Sequence, residues 1–208
     1  MRGTKHLLFC GLVPCLVFSQ FSVAVVWADP AGPATSDPVR APVPTPTPVG
    51  ADPQAMYNVK AAFLYSFGRY MQWPAACFEA TQGNFVIGVL GEDPFGGALD
   101  QLARIKQVQG RRLVIERFAT LAARKPCQVL FVPRTTPEEQ QQAALRAFRG
   151  QAVLLVGETP GFAERGGTVN FYLDQDTVRF ELNLIAARQQ GLSVDAKLQN
   201  LARLLKTP

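Results

Sequence analysis

The only histidine of the chain is His6, within an apolar N-terminal run, and the only cysteines beyond that run are Cys77 and Cys127. Once the N-terminal run is removed no imidazole remains. That excludes Ser-His-Asp and Cys-His catalysis, His-ligated zinc and histidine pH switches. Cys77 lies in the loop leading into a strand, and Cys127 begins a strand expected to run parallel nearby. An even pair with one connectivity suggests a Cys77–Cys127 disulfide in an oxidising compartment. Closing a loop of about 50 residues would contribute about 4 kcal/mol in the chain-entropy model. Two inert thiols are the alternative reading, and a nucleophilic cysteine would lack an activating base. No catalytic set, metal-ligating set or cofactor motif emerges.

Gly88, Gly91, Gly96 and Gly97 crowd the first strand–helix junction. They match neither G-x-G-x-x-G nor a P-loop, since no Gly-Lys-Ser/Thr follows. Glu92 and Asp93 stand where a phosphate would need donors, so turn formation and capping explain the pattern better. The carboxyl end of a strand in an α/β sheet is nevertheless where ligands sit, which leaves Asp93, Gly96 and Gly97 as a candidate ligand-binding set. Asp174, Asp176 and Glu181 are the acidic residues of a later hairpin. A glycosidase pair would need two carboxyls facing across a cleft, whereas aspartate in a turn follows from backbone preference alone. Phe95, Phe162 and Tyr172 could face a partner, but core packing is the commoner fate of aromatics.

The elements that must hold these residues are legible from periodicity. Met56, Val59, Phe63, Phe67 and Tyr70 recur at helical spacing up to Trp73-Pro74, where proline stops the helix. Apolar or alternating runs over 85–90, 113–118, 129–132 and 153–156 predict strands. Asp93-Pro94 opens a helix to about residue 106, and Thr136-Pro137-Glu138-Glu139 reads as a capping box for a helix ending at Gly150. Runs over 168–173 and 177–182 flank Asp174-Gln175-Asp176, a three-residue hairpin signal. A short helix to Gln190 is capped by Gly191, and Asp195 caps a last helix with Leu198, Leu201 and Leu205 on one stripe. Strands alternating with helices and then a hairpin predict a three-layer α/β domain: a mixed parallel/antiparallel sheet flanked by helices.

The chain has 208 residues, 48% apolar and 18% charged, with a formal charge of +5. That suffices for one globular domain and not for two large ones. Arg2, Lys5 and His6 precede an apolar run over 7–28 that ends in Val26-Trp27-Ala28, so 1–28 read as a secretory signal. An uncleaved anchor of that length could also span a bilayer, but Pro14, Ser19, Gln20 and Ser22 interrupt the run and favour cleavage, leaving no stable membrane insertion. Residues 29–53 hold eight of the 16 prolines and read as a disordered linker. The domain then occupies 54–208, with 18 basic and 13 acidic residues spread along it. No polybasic stripe is present, so nucleic-acid binding is not supported.

Four segments, in order, resemble one family. Lys60-Ala61-Ala62-Phe63-Leu64-Tyr65-Ser66-Phe67 ending in Trp73-Pro74 is similar to the opening signature of YfiR-like (YfiR/HmsC-like) periplasmic proteins. Gly91-Glu92-Asp93-Pro94-Phe95-Gly96 resembles their Asp-Pro-Phe-Gly turn, and Cys127-Gln128-Val129-Leu130-Phe131-Val132 their cysteine-led strand. Gly166-Gly167, Phe180, Asn183, Ala186-Ala187, Gly191-Leu192 and Leu201-Ala202-Arg203 follow in the family's order. Where members carry a cysteine three residues before the turn glycine this chain has Gly88, and Asp195 and Gln199 replace a serine and a leucine of the last helix. The resemblance implies a non-enzymatic periplasmic regulator without a cofactor. Its implied partner is the periplasmic sensor domain of a membrane diguanylate cyclase, which it represses, lowering cyclic di-GMP and restraining biofilm. A homodimer is left open. The rival class is a periplasmic small-ligand-binding protein, or an enzyme working without histidine, that uses the strand-end pocket near Asp93.

Overall fold

The structure is a computed structural model that describes residues 52–205. The signal segment and all but Asp52 and Pro53 of the N-terminal region lie outside the described residues. Helix α1 (Pro53–Tyr70) starts where Asp52 accepts a hydrogen bond from Gln54 N at 2.9 Å and proline occupies its first position. It stops at Tyr70, short of the Trp73-Pro74 boundary. Strand β1 (Met71–Gln72) instead pairs antiparallel with β9 (Ser193–Val194), and Gln109 Nε2 takes the freed carbonyls of Gly68 and Met71.

Among the described residues, eight further strands form one sheet. They are β2 (Phe85–Leu90), β3 (Gln107–Val108), β4 (Arg111–Phe118), β5 (Val129–Val132), β6 (Leu154–Gly157), β7 (Val169–Asp174), β8 (Thr177–Leu182) and β10 (Arg203–Leu204), in the order β10-β8-β7-β6-β5-β2-β4-β3. Neighbours from β4 to β7 are all parallel, while β3–β4 and β7–β8 are antiparallel. The expected mixed α/β sheet is what the chain forms. Chain order reverses between β2 and β5, the place where a doubly wound sheet opens a crevice.

The helices cover both faces. Along β2, Phe85, Ile87 and Val89 pack with Phe63, Leu64 and Phe67 of α1 and Leu99 of α2 (Ala98–Ile105), whereas Val86 and Leu90 pack with Ala144 and Leu145 of α3 (Glu138–Ala147). This period-two division is what a strand buried on both sides requires. On the α1 face Phe63, Phe67, Phe171 and Phe180 form one aromatic group, with ring centroids 5.2–6.1 Å apart.

Four local expectations change. Asp93 Oδ1 accepts from Phe95 N at 2.8 Å and closes a turn, so α2 begins only at Ala98, beyond Gly96 at φ +58°. Thr136 donates its hydroxyl to Leu90 O rather than capping α3, which starts without a side-chain cap. The hairpin turn is two residues, Gln175 and Asp176, both at positive φ, and Asp174 belongs to β7 opposite Thr177. Beyond α4 (Leu184–Gln189), helix α5 (Ala196–Gln199) lasts one turn, and the expected Leu198/Leu201/Leu205 helix gives way to β10 alongside β8. Leu205 N then donates to Leu182 O, so pairing with β8 satisfies backbone groups that further helix would have satisfied internally.

Candidate functional site

The parallel strands β5 and β6 end side by side, with Val132 opposite Gly157. Just past β6 stands Glu158, 3% exposed. Its Oε1 accepts from the Tyr57 hydroxyl at 3.1 Å and from the Arg134 backbone N at 2.9 Å, and its Oε2 pairs with Lys60 Nζ. Lys60 sits four residues after Met56 and three before Phe63, on the stripe of α1 that faces the sheet, and its ammonium also lies 4.4 Å from the centroid of the Tyr57 ring. Burial pushes the Lys60 ammonium below its ordinary value, against the pull of Glu158. Burial and then the Glu158 charge push the Tyr57 hydroxyl up to about 12.

Sheet register brings a second group to the same place. Gly157, Asn170, Glu181 and Arg203 are successive Cα partners across β6, β7, β8 and β10. Asn170 Nδ2 donates to Glu181 Oε2 at 3.2 Å, and Arg203 pairs with Glu181 Oε1 while its guanidinium lies 4.5 Å from the centre of the Tyr172 ring. The two groups line one cleft of about 500 Å³, with Met56, Phe171 and Leu173 as apolar wall. Such a cleft lies within the usual range of ligand cavities, about 300–1,000 Å³, and it sits at the carboxyl ends of parallel strands.

The sequence-predicted ligand set does not assemble. Asp93 Oδ2 is held by Arg117 Nε at 2.7 Å, and the same guanidinium makes two bonds to Asp100. Those bonds, the Asp100 pair first, raise the Arg117 value. Gly96 and Gly97 line a separate groove between α1 and α2, also about 500 Å³. The reversal between β2 and β5 is filled by side chains: Thr136 bonds across it, and Phe95 is wholly buried, edge-on to Phe131 at 4.8 Å. Of the acidic hairpin residues, Glu181 reaches the cleft, while Asp174 pairs with Arg179 at the exposed end. Lys60, Glu158 and Asn170 were missed. The available signal was a lysine on an otherwise apolar helical stripe.

Cys77 and Cys127 are free thiols in the structure, and the bridge considered for them is not formed there. Cys77 packs against the α1-side core and Cys127 belongs to the α3-side core, so the sheet's two faces separate them. Cys127 lies by the Gly88 backbone, and the space beside Gly88 is taken by Phe118, whose ring would come within 2.7 Å of an added Cβ. Burial raises the Cys77 thiol and pushes Cys127 up to about 12 from 9.0. The folded state therefore holds the Cys127 proton more tightly than the unfolded state. That contribution to stability is complete below pH 9 and is lost as pH climbs towards 12. In reduced protein, urea denaturation should show the wild type losing up to about 1 kcal/mol of stability relative to Cys127→Ala between pH 9 and 10. An equal pH dependence in the two proteins would place the cause outside Cys127.

Among the described residues no helix is long and apolar enough to cross a membrane, and no group of three or more His, Cys, Asp or Glu side chains could hold a metal ion. The family model described as YfiR/HmsC-like matches residues 57–203. No curated protein matches the chain. Among solved structures, a conserved domain protein from Vibrio cholerae O1 biovar El Tor str. N16961 is similar at 15% identity and a TM-score of 0.41, over 63% of this chain and 58% of that one. The chain thus spans less than two thirds of that protein's length.

Proposed function

The chain belongs to the YfiR/HmsC-like family of periplasmic regulators, and on that premise we propose that it is exported and works by binding a partner protein. The partner we propose is the periplasmic sensor domain of a membrane diguanylate cyclase, held in its inactive state so that cyclic di-GMP falls and biofilm is restrained. The carrying observation is the family match, which spans nearly all of the described domain. A regulator of this kind needs no chemistry of its own. It shifts a two-state partner by its differential affinity for the two states, which agrees with a mature chain that has no imidazole. The rival ligand reading at Asp93 loses support, because that carboxylate is already bonded to Arg117 and to Phe95 N.

The test is cyclic di-GMP in a deletion strain and its complemented control. Deletion should raise it and complementation should restore it. An unchanged level across several growth and redox conditions would overturn repression of a cyclase.

A further inference from the structure

The cleft over β5, β6 and β7 has bonding capacity that the protein does not use. Asn170 is 3% exposed and lines the cleft; its Nδ2 is bonded to Glu181, but its Oδ1 is buried without a hydrogen-bond partner. A buried acceptor in that state is costly unless something donates to it. At the mouth, the exposed Arg134 takes part through its backbone N, leaving the guanidinium without an ion pair among the described residues. Lys60 spends one of its three donors on Glu158.

The deep carboxylates, by contrast, are spent. Both oxygens of Glu158 and both of Glu181 accept hydrogen bonds from protein groups. Glu158 and Glu181 each face a cation, and the third carboxylate of the lining, Glu164, is exposed, so the buried part of the cleft offers a neutral acceptor that suits a hydroxyl better than an ammonium. Arg134 and Lys60 suit a carboxylate. Met56, Phe171 and Leu173, the last 52% exposed, leave room for a short hydrocarbon chain.

We propose that this cleft binds a small hydroxy acid, its carboxylate on Arg134 and Lys60 and its hydroxyl donating to Asn170 Oδ1. Arg134 lies two residues beyond the end of β5 and Asn170 two strands away on β7. That separation, about 10 Å between the outer strands and spanned largely by the arginine side chain, places the hydroxyl a few bonds from the carboxylate. The inference stands on the cleft alone and holds whether or not the partner is a cyclase.

Calorimetric titration of the exported protein with four matched probes tests it: 3-hydroxyhexanoate (both enantiomers), hexanoate, 3-aminohexanoate and hexane-1,3-diol. One enantiomer of the hydroxy acid should bind at least about tenfold more tightly than each of the others, because a site built around a hydroxyl rejects analogues that lack it. Arg134→Gln, at an exposed side chain, should keep the melting temperature and weaken that binding about tenfold or more. Arg104→Gln on α2 should leave binding unchanged. No heat with any probe at millimolar concentration would overturn the proposal. So would equal binding of hexanoate or the amino acid, or wild-type affinity in Arg134→Gln.

Discussion

Replacing Lys60 by methionine is expected to destabilise the domain by about 3–5 kcal/mol at neutral pH, because it leaves Glu158 buried without its cation. The two side chains are 6% and 1% exposed, so water cannot take over the missing partner. The Tyr57 hydroxyl and the Arg134 backbone N would still donate to Oε1, but neither carries the positive charge that faced Oε2. For a domain of this size such a loss lowers the melting temperature by on the order of 10 °C. The ion pair itself need contribute little, since desolvating both charges offsets most of their attraction. Combining Lys60→Met with Glu158→Gln should therefore recover more than half of the loss: the amide oxygen still accepts from Tyr57 and Arg134, and no charge is stranded. Urea denaturation of the two variants measures this. A loss below about 1 kcal/mol in the single variant would mean that the pair is solvated in practice.

The second large effect lies on the opposite face. Phe162, in the loop between β6 and β7, is wholly buried among the α3-side core, and its ring lies against two glycines. A Cβ added at Gly157 would come within 2.4 Å of the ring, and one at Gly167 within 2.3 Å. Truncating Phe162 to alanine should cost about 3–5 kcal/mol, the transfer of a phenyl group plus a cavity that the sheet cannot close. Gly157→Ala should cost about 1–3 kcal/mol through the forced displacement of the same ring. The double variant should cost clearly less than the sum, because the added methyl enters the space the ring vacates. Additive losses in denaturant titrations would show that the two residues do not share that space.

The apolar runs over 85–90 and 129–132 and the hairpin signal before 177–182 located β2, β5 and β8 with the observed bounds. The reason is local: a strand buried on both faces is a short continuous apolar run, and a hairpin strand alternates. The helices were legible for the same reason, and their ends were not. Tyr70 and Thr136 have propensities that fit a longer α1 and a capped α3, but their bonding partners are Asp195 and Leu90. Those partners lie far away in sequence, and propensity carries no record of them. The same holds for the C-terminal leucines, whose helical spacing lost to the edge of β8.

The amino-acid sequence by itself determined a mixed α/β domain, no catalytic imidazole beyond the N-terminal run, and a likeness to one regulator family. These rest on composition, on the period of apolar residues and on short motifs, all of which are properties of neighbours along the chain. Only the tertiary structure decided the cleft. Lys60 meets Glu158 across 98 positions, and Asn170, Glu181 and Arg203 share a row only because β7, β8 and β10 pair in that register. Strand order and register set which polar groups are buried together, and a one-residue slip would turn each of them to the other face.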